Sequence, residues 1–386
     1  MIQIDTVLIK VSSRCNINCS YCYVYNMGDD SWEDMPNFIS RETISAIAAN
    51  LEKVRISQTK PFAVVLHGGE PLLLGFKRLK YLLQQLRSAI PDKYCISIQS
   101  NGMLINEAIL DLCSQYRASI SVSLDGPENI NDANRAGHKG EGTFSQVIAG
   151  LEKLKSHPDS SFLFAGLLAV IEPKSDPWKI YNFFKSTGTK NVDFLYRDGN
   201  HDKLPYGKAS FDSTEYGIWL QGLVDIYLRD KDPIKIRILD DHIRLLLGGK
   251  SIKEGTGITD FGIVVIDTDG TITKNDTLKS NFNGADRFSE QLNVKTHELI
   301  TVFKSEEFTL SHTLQRPTSE KCQTCPELYV CGGGMPLHRW SAKSKYNNPS
   351  VYCRDQLHII SHIRAKLQPI LNENINESLS KNRPSN

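Results

Sequence analysis

Six short β-prone runs alternate with amphipathic helical windows between Thr6 and Leu195, and this alternation restricts the possible folds more than any other feature. The runs are Thr6–Val11, Phe62–His67, Tyr94–Ser100, Ser119–Leu124, Phe162–Ile171 and Asn191–Leu195. Helical windows fall between them at Ser40–Arg55, Phe76–Ala89, Asn106–Tyr116, Thr143–Ser156 and Pro177–Ser186. In the first window Ile44, Ile47, Ala48 and Leu51 recur at helical spacing, and Ser40 and Thr43 suit its start. Strands that alternate with helices build a parallel sheet with right-handed crossovers, so the expected class is α/β. Periodicity alone does not decide whether that sheet curls into a barrel. In barrels of this kind chemistry sits at the C-terminal ends of the strands.

Those ends collect the unusual residues. After the first strand comes Arg14-Cys15-Asn16-Ile17-Asn18-Cys19-Ser20-Tyr21-Cys22-Tyr23, with thiols at spacings of four and three residues. Three thiols cannot complete a structural zinc site, which takes four protein ligands. They can hold three irons of a [4Fe–4S] cube and leave the fourth open to a small molecule. A zinc half-site or buried free thiols remain alternatives on spacing alone. After the second strand comes His67-Gly68-Gly69-Glu70-Pro71, where glycines let the backbone approach a ligand and Glu70 can accept from an ammonium group. Asn101 follows the third strand in Gln99-Ser100-Asn101-Gly102, and Ser123-Leu124-Asp125-Gly126 closes the fourth. Arg135 stands ten residues beyond Asp125, far enough to fold back and hold a carboxylate.

Charge and length exclude several function classes. Forty-five basic residues against forty-four acidic give a net charge of +1, so no field is built for nucleic acid or an anionic membrane. Met1 leads directly into alternating Val7, Ile9 and Val11, without the basic and apolar regions of a signal peptide. The longest apolar run, Phe162–Ile171, is about half of what a membrane span requires. Nine cysteines without an export signal argue for metal ligation in a reducing cytoplasm. The expectation is a soluble cytoplasmic metalloprotein, large enough at 386 residues for a barrel plus an extension.

Beyond Leu195 the loop Tyr196–Phe211 carries His201 and Asp202, read as a solvated pair at the rim. Asp29, Asp30, Glu33 and Asp34 around Trp32 read as an acidic face suited to a basic peptide. Thr214–Leu228 and Asp241–Leu247 are helical by spacing, and Asp260–Ile266 with Thr271–Thr273 reads as a β-hairpin turning at Asp269-Gly270. Cys322, Cys325, Cys331 and Cys353 then form a second thiol set around Gly332-Gly333-Gly334, for which zinc and [4Fe–4S] compete on spacing. Cys95 and Cys113 lie in a strand and a helix and read as core. The boundaries expected are a core over 1–235, a bridging and cysteine-rich domain over 236–371, and a polar, disordered tail over 372–386.

Cys15, Cys19 and Cys22 with Gly68-Gly69-Glu70-Pro71, Ser123-Leu124-Asp125-Gly126 and Arg135 resemble the radical S-adenosylmethionine (SAM) superfamily, and the second thiol set resembles its C-terminal SPASM extension. The resemblance implies a partial (β/α)6 barrel with a SPASM-type iron–sulfur domain. It implies SAM on the open iron, with Gly68, Gly69 and Glu70 by the amino group and Asn101 among the cofactor contacts. Ser123 and Arg135 would lie by the carboxylate and ribose, Tyr21, Tyr23 and Leu195 near the adenine, and Asp125 among the further cofactor contacts. SPASM members commonly hold two auxiliary clusters, whose further thiols are expected near Gly255–Asp260, at Asn275 and at Met335. Those thiols are missing here, so the expectation is two [4Fe–4S] clusters in all, one for SAM and one on Cys322, Cys325, Cys331 and Cys353. Asp276 matches the base of the sulfatase-maturing members.

The run Cys22-Tyr23-Val24-Tyr25-Asn26, followed by Asp30-Ser31-Trp32 and Met35-Pro36, resembles the cyclophane-forming peptide maturases of the XyeB/GrrM/FxsB group. That implies a ribosomal precursor peptide as substrate, a crosslink between a β-carbon and an aromatic ring as product, and flavodoxin or ferredoxin as electron donor. Two alternatives stay open: oxidation of Ser or Cys to formylglycine, as in anaerobic sulfatase maturation, and a non-catalytic iron–sulfur or zinc module that binds peptide.

Overall fold

The structure, a computed structural model, describes the chain from Ile2 to Lys381 and its side chains through Pro369. All six expected strands form: β1 (Thr6–Ser12), β2 (Ala63–Gly68), β3 (Ile96–Ser100), β4 (Ala118–Ser123), β5 (Phe164–Val170) and β6 (Asn191–Leu195). They pair in that order and all in parallel. Alternate residues point to the core, with Val7, Ile9, Val11, Val64, Leu66, Ile98, Ile120 and Val122 fully buried. Each such side chain contributes roughly 1.5–3 kcal/mol by leaving water. The sheet is extended at both edges by β7 (Lys235–Ile236) beside β6 and by the hairpin β8 (Ile263–Ile266) and β9 (Ile272–Thr273) beside β1. The order therefore has two ends, and the sheet is an open nine-stranded arc.

The helices form where the apolar spacing puts them. In α1 (Arg41–Ser57) the Ser40 hydroxyl accepts from the Thr43 amide at 3.0 Å, and Ile44, Ile47, Leu51 and Val54 cover the sheet. α2 (Gly75–Ala89), α3 (Glu107–Gln115), α4 (Phe144–Ser156) and α5 (Pro177–Ser186) follow the next strands. Asn106 caps α3 through the Ile109 amide, and Asp176 caps α5 through the Trp178 amide. These caps fix the starts of α1, α3 and α5, and the site is made of strand-to-helix connections.

Three expectations change. The hairpin expected in the C-terminal domain belongs to the core sheet: β8 runs parallel to β1, with Thr6 opposite Ile263 and Ile9 opposite Ile266. Two apolar strands bury more surface side by side than either does at an edge. The disordered tail expected from Asn372 is helical as far as Lys381, within α8 (Cys353–Lys381), and residues 382–386 lie outside the described residues. Helix α8 lies on α6 (Glu215–Arg229), where Gly217 lets the backbones approach and donates to Asp355 Oδ1 at 2.8 Å. Asp355 also pairs with Lys208 at 2.6 Å, both side chains fully buried. Cys113 is core as expected, but Cys95 lies one residue before β3 and is exposed. Among the described residues no helix is long and apolar enough to cross a membrane.

Candidate active site

Cys15, Cys19 and Cys22 sit on the loop that leaves β1. The loop is pinned by a two-residue ladder, with Asn18 opposite Ala136 and Cys19 opposite Arg135, and by the Cys22 amide donating to the Cys19 carbonyl at 3.0 Å. Burial pushes the Cys15 thiol up to about 12 and the Cys22 thiol up to about 11, and the neighbouring thiols add to both shifts. The three sulfurs therefore face one another in a poorly solvated place. Among the described residues no three His, Cys, Asp or Glu side chains converge as a single metal ion requires. Three poorly solvated thiols on one loop suit an iron–sulfur cube, which takes three of its irons' ligands from such a set.

Beside them opens a cavity of about 320 Å³ at the C-terminal ends of the strands. Every expected cofactor contact lines it: Tyr21, Tyr23, Gly68, Gly69, Glu70, Asn101, Ser123, Asp125, Arg135 and Leu195. Gly68 takes φ +135°, and a Cβ there would stand 2.2 Å from the Ser12 carbonyl oxygen, so the bulge between β1 and β2 admits only glycine. A Cβ on Gly69 would lie 2.2 Å from the Arg14 carbonyl oxygen. Glu70 is buried, and its carboxylate accepts from the Leu72 amide at 3.0 Å, the Ser100 hydroxyl at 2.8 Å and the Asn101 amide at 2.7 Å. Burial raises its pKa and these three donors oppose the rise.

Across the cavity Tyr21 donates to Asp125 Oδ2 at 2.6 Å, and Arg135 Nη1 donates to the Tyr21 hydroxyl at 3.1 Å. Asp125 Oδ1 accepts from the Val170 amide at 3.0 Å, which ties the pair to β5. Arg135 is buried, and its Nε has no partner among the described residues. A buried guanidinium with donor capacity to spare suits a carboxylate ligand. Glycine backbone on one side and this guanidinium on the other are compatible with SAM above a cluster on the three cysteines.

Asp276 does not line the cavity. It lies behind Tyr23, which does, and accepts from the Tyr23 hydroxyl at 2.7 Å through Oδ2. The Lys10 ammonium stands 2.7 Å from its Oδ1 and 3.6 Å from Asp267. Burial works against the Asp276 carboxylate, yet Lys10 and Lys279 hold its pKa below the ordinary value. An ionised carboxylate behind a phenol can draw a proton through that phenol.

The second thiol set is assembled too. Burial pushes Cys331 up to about 12, and Cys353, Cys322 and Cys325 add to the shift in that order. Gly332, Gly333 and Gly334 all take left-handed φ, and a Cβ on Gly332 would meet the Gly257 carbonyl at 2.0 Å. Arg339, buried beside Cys322 and Cys331, supplies positive charge for thiolates. Where the further thiols are missing, Asn275 donates to Glu254 Oε1 at 2.5 Å and Met335 packs on Gly255.

Sequence reading missed five charged or titratable groups that line the cavity: Arg197, Asp198, Lys253, Glu254 and His338. Arg197 and Asp198 directly follow β6, so their position at a strand end was the available signal. Arg197 pairs with Glu172 at 2.8 Å. The loop pair and the acidic face lie elsewhere. His201 stacks on Phe211 and Asp202 accepts from the Ala342 amide at 2.7 Å, so neither is simply solvated. Asp29 is buried and stands 3.3 Å from Lys279, which leaves only the rest of that run exposed or half-buried.

The Radical SAM superfamily model matches residues 9–183. The chain is 25% identical over 378 residues to a cysteine-type anaerobic sulfatase-maturating enzyme of Clostridium perfringens, covering 95% of this chain and 98% of that one. A protein of Methanothermobacter thermautotrophicus is 31% identical over 242 residues, covering 61% of this chain and 83% of its own. Native anSMEcpe with bound AdoMet and Cp18Cys peptide shares the fold, with a TM-score of 0.79 at 23% identity over 96% of this chain and 99% of that chain. The expected cyclophane-forming activity is overturned by these likenesses, which run end to end with sulfatase-maturating enzymes. The stretch 22–36 that suggested a crosslink was too short to outweigh a match over the whole length.

Proposed function

The chain belongs to the radical SAM superfamily, and from that premise we propose that it oxidises a Ser or Cys side chain of a peptide substrate to formylglycine. The observation that carries the reading is the match to a sulfatase-maturating enzyme along almost the full length of both chains. Net, a Ser side chain loses two hydrogens to give the aldehyde, and a Cys side chain loses two hydrogens and then exchanges sulfide for water.

Cys15, Cys19 and Cys22 would hold one iron–sulfur centre beside SAM, and Cys322, Cys325, Cys331 and Cys353 another, and together these groups would supply radical hydrogen abstraction and a sink for the second electron. The chain's own residues bind, orient and take the proton. Gly68, Gly69, Glu70 and Asn101 are assigned to the amino end of SAM. Arg135, Ser123 and Asp125 are assigned to its carboxylate and ribose, and Tyr21 and Leu195 to its adenine. Tyr23 is assigned to the substrate: as its oxygen receives the substrate's proton, its own proton passes to Asp276 Oδ2, 2.7 Å away. Lys10 keeps Asp276 ionised and ready. A flavodoxin or ferredoxin is the proposed electron donor, and two clusters per chain the proposed content.

The reading is tested with anaerobically reconstituted protein, SAM, a reductant and peptides bearing a central Cys or Ser. The expected product is an aldehyde at that residue, trapped with a hydrazine and located by fragmentation. Formation of 5′-deoxyadenosine without aldehyde in any such peptide refutes it.

A further inference from the structure

On one side the cavity closes against the second thiol set. Its wall there includes Tyr196, Gly334, His338 and Ser350. Gly334 stands three residues after Cys331 and Ser350 three residues before Cys353, whose amide donates to the Ser350 carbonyl at 2.9 Å. Behind this wall lies Tyr352, fully buried and joined directly to Cys353 in the chain. Its ring is 4.4 Å from that of Tyr196, centroid to centroid and tilted by 39°, and 4.9 Å from that of His338. Tyr216 packs on both tyrosines, at 5.7 Å and 5.0 Å, and holds the pair together. Burial raises the pKa of the Tyr196 phenol well above its ordinary value, and Asp355, Cys331 and Tyr216 add to the rise in that order. The Cys331 sulfur therefore also stands near this ring. Contiguous rings run from the cavity surface to the residue beside one thiol of the set.

The oxidation proposed above needs such a connection. A Ser or Cys side chain that has given up a hydrogen atom and then a proton still holds one electron more than the aldehyde or thioaldehyde. That electron must leave the cavity. Electron transfer between separated groups weakens exponentially with distance, and faster across empty space than through packed atoms. Aromatic pairs at these separations are packed ring on ring, which leaves no gap in the path.

We propose that Tyr196 and Tyr352 form an electron bridge from the substrate in the cavity to the iron–sulfur centre assigned to Cys322, Cys325, Cys331 and Cys353. This rests on the formylglycine reading and deepens it, because it names the route of the second electron. One electron leaves the substrate, whose reacting carbon becomes a carbonyl or thiocarbonyl, and one arrives at that centre. The rings pass the electron without themselves becoming lasting radicals, because neither phenol has anywhere to send its proton. Tyr196 Oη is buried without a partner among the described residues, and the Tyr352 hydroxyl donates at 2.6 Å to the Arg197 carbonyl, which is no base.

The bridge is tested by rapid freeze-quench EPR. Anaerobically reconstituted protein is reduced by one electron equivalent per chain and mixed with SAM and a peptide bearing a central Cys. Cys331→Ser supplies the spectrum without the second centre. In the parent the reduced second centre should appear without build-up of a carbon-centred substrate radical. Tyr196→Leu and Tyr196→Met fill the space but remove the ring. In each, the second-centre signal should grow more slowly by an order of magnitude or more, while the substrate radical accumulates. Tyr196→Phe, which keeps the ring, should recover most of the rate. Redox titration of each variant should give the parent's potential for the second centre, so that a broken path is told apart from a lost driving force. Parent-like rates in either non-aromatic variant overturn the bridge, and so does a tyrosyl signal in the parent. Loss of the second centre's iron in both non-aromatic variants would make Tyr196 a structural support of the thiol set and would overturn it too. If the parent makes aldehyde while its second centre is never reduced, the bridge falls and the formylglycine reading stands. If the parent makes no aldehyde, both fall.

Discussion

Replacing Gly69 by Ala isolates the packing that joins the glycine turn to the cysteine loop. The new methyl carbon would lie 2.2 Å from the Arg14 carbonyl oxygen, whereas ordinary contact begins at 3.4 Å. The Tyr25 hydroxyl also lies 2.2 Å from the new carbon, and because Arg14 is met through its backbone, one backbone or the other must still retreat by about 1 Å. The retreat strains the Glu70 amide's 2.9 Å bond to that same carbonyl and moves the residue next to Cys15. Overpacking costs about 1–3 kcal/mol and the weakened bond about 1 more, so the loss should be about 2–4 kcal/mol. Gly140→Ala is the control: its φ is +82°, but nothing lies within 4 Å of the added carbon, so about 1 kcal/mol of backbone strain is expected. Chemical denaturation of the metal-free proteins gives the two losses, and iron content with 5′-deoxyadenosine yield after reconstitution gives the consequence. If Gly69→Ala matches Gly140→Ala in stability and loads iron like the parent, the close approach of the two loops is not what positions the cysteines.

Three further outcomes are expected. Lys10→Met leaves Asp276 buried without its nearest cation, which should cost about 3–5 kcal/mol in denaturant unfolding; a loss under about 1 kcal/mol would mean that Lys279 and Tyr23 suffice. Cys331→Ser should remove about half of the iron that the parent binds, with SAM cleavage retained, if two cubes are present; loss of all iron would show that the second thiol set also holds the first loop. Asp198→Asn with Glu254→Gln should change how stability depends on pH. Both carboxyls are raised by burial from the ordinary range to about 7, so the folded parent keeps protons that the unfolded chain has released, and it loses stability as pH rises from about 4 to about 7. The double variant should therefore gain on the parent across that window, measured by unfolding at stepped pH, and a constant difference would contradict the assigned burial.

What was legible in the chain was local. Strands such as Asn191–Leu195 and Thr6–Ser12 are apolar runs cut off by polar or helical sequence, and they emerged within a few residues of their expected limits. The lining of the cavity was legible because most of its expected residues stand at or soon after strand ends, and a parallel sheet brings those ends to one rim. Docking of Ile263–Ile266 onto Thr6–Ile9 had no such signal, because 257 residues separate Thr6 from Ile263 and the pattern of either strand fits any apolar neighbour. Charged residues misled for a related reason. Asp29, Asp198 and Glu254 sit in polar stretches that look solvated, and only tertiary packing buries the first and half-buries the other two. Cys95 failed in the opposite sense, since a position just outside a buried strand looks the same as one inside it.

That unforeseen docking joins the C-terminal part of the chain to the chemistry of the N-terminal part. Strand β1 leads into the cysteine loop at its end and carries Lys10 just before it. Hairpin β8–β9 pairs with the same strand, which brings Asp267 to 3.6 Å and Asp276 to 2.7 Å from the Lys10 ammonium. Asp276 then meets Tyr23, one residue beyond Cys22. The group proposed to draw the proton and the loop proposed to hold the cluster thus hang from one strand, and their separation is fixed by its backbone rather than by mobile side chains. The same turn that begins with Asp276 ends at Ser280 against Asp198, so a shift of the hairpin along β1 would move the proton acceptor and this wall of the cavity together. Register along β1 is pinned on the other side by the bulge at Gly68, where no larger residue fits. A reaction that takes a hydrogen atom and a proton from one side chain gains from referring both acceptors to a single rigid strand.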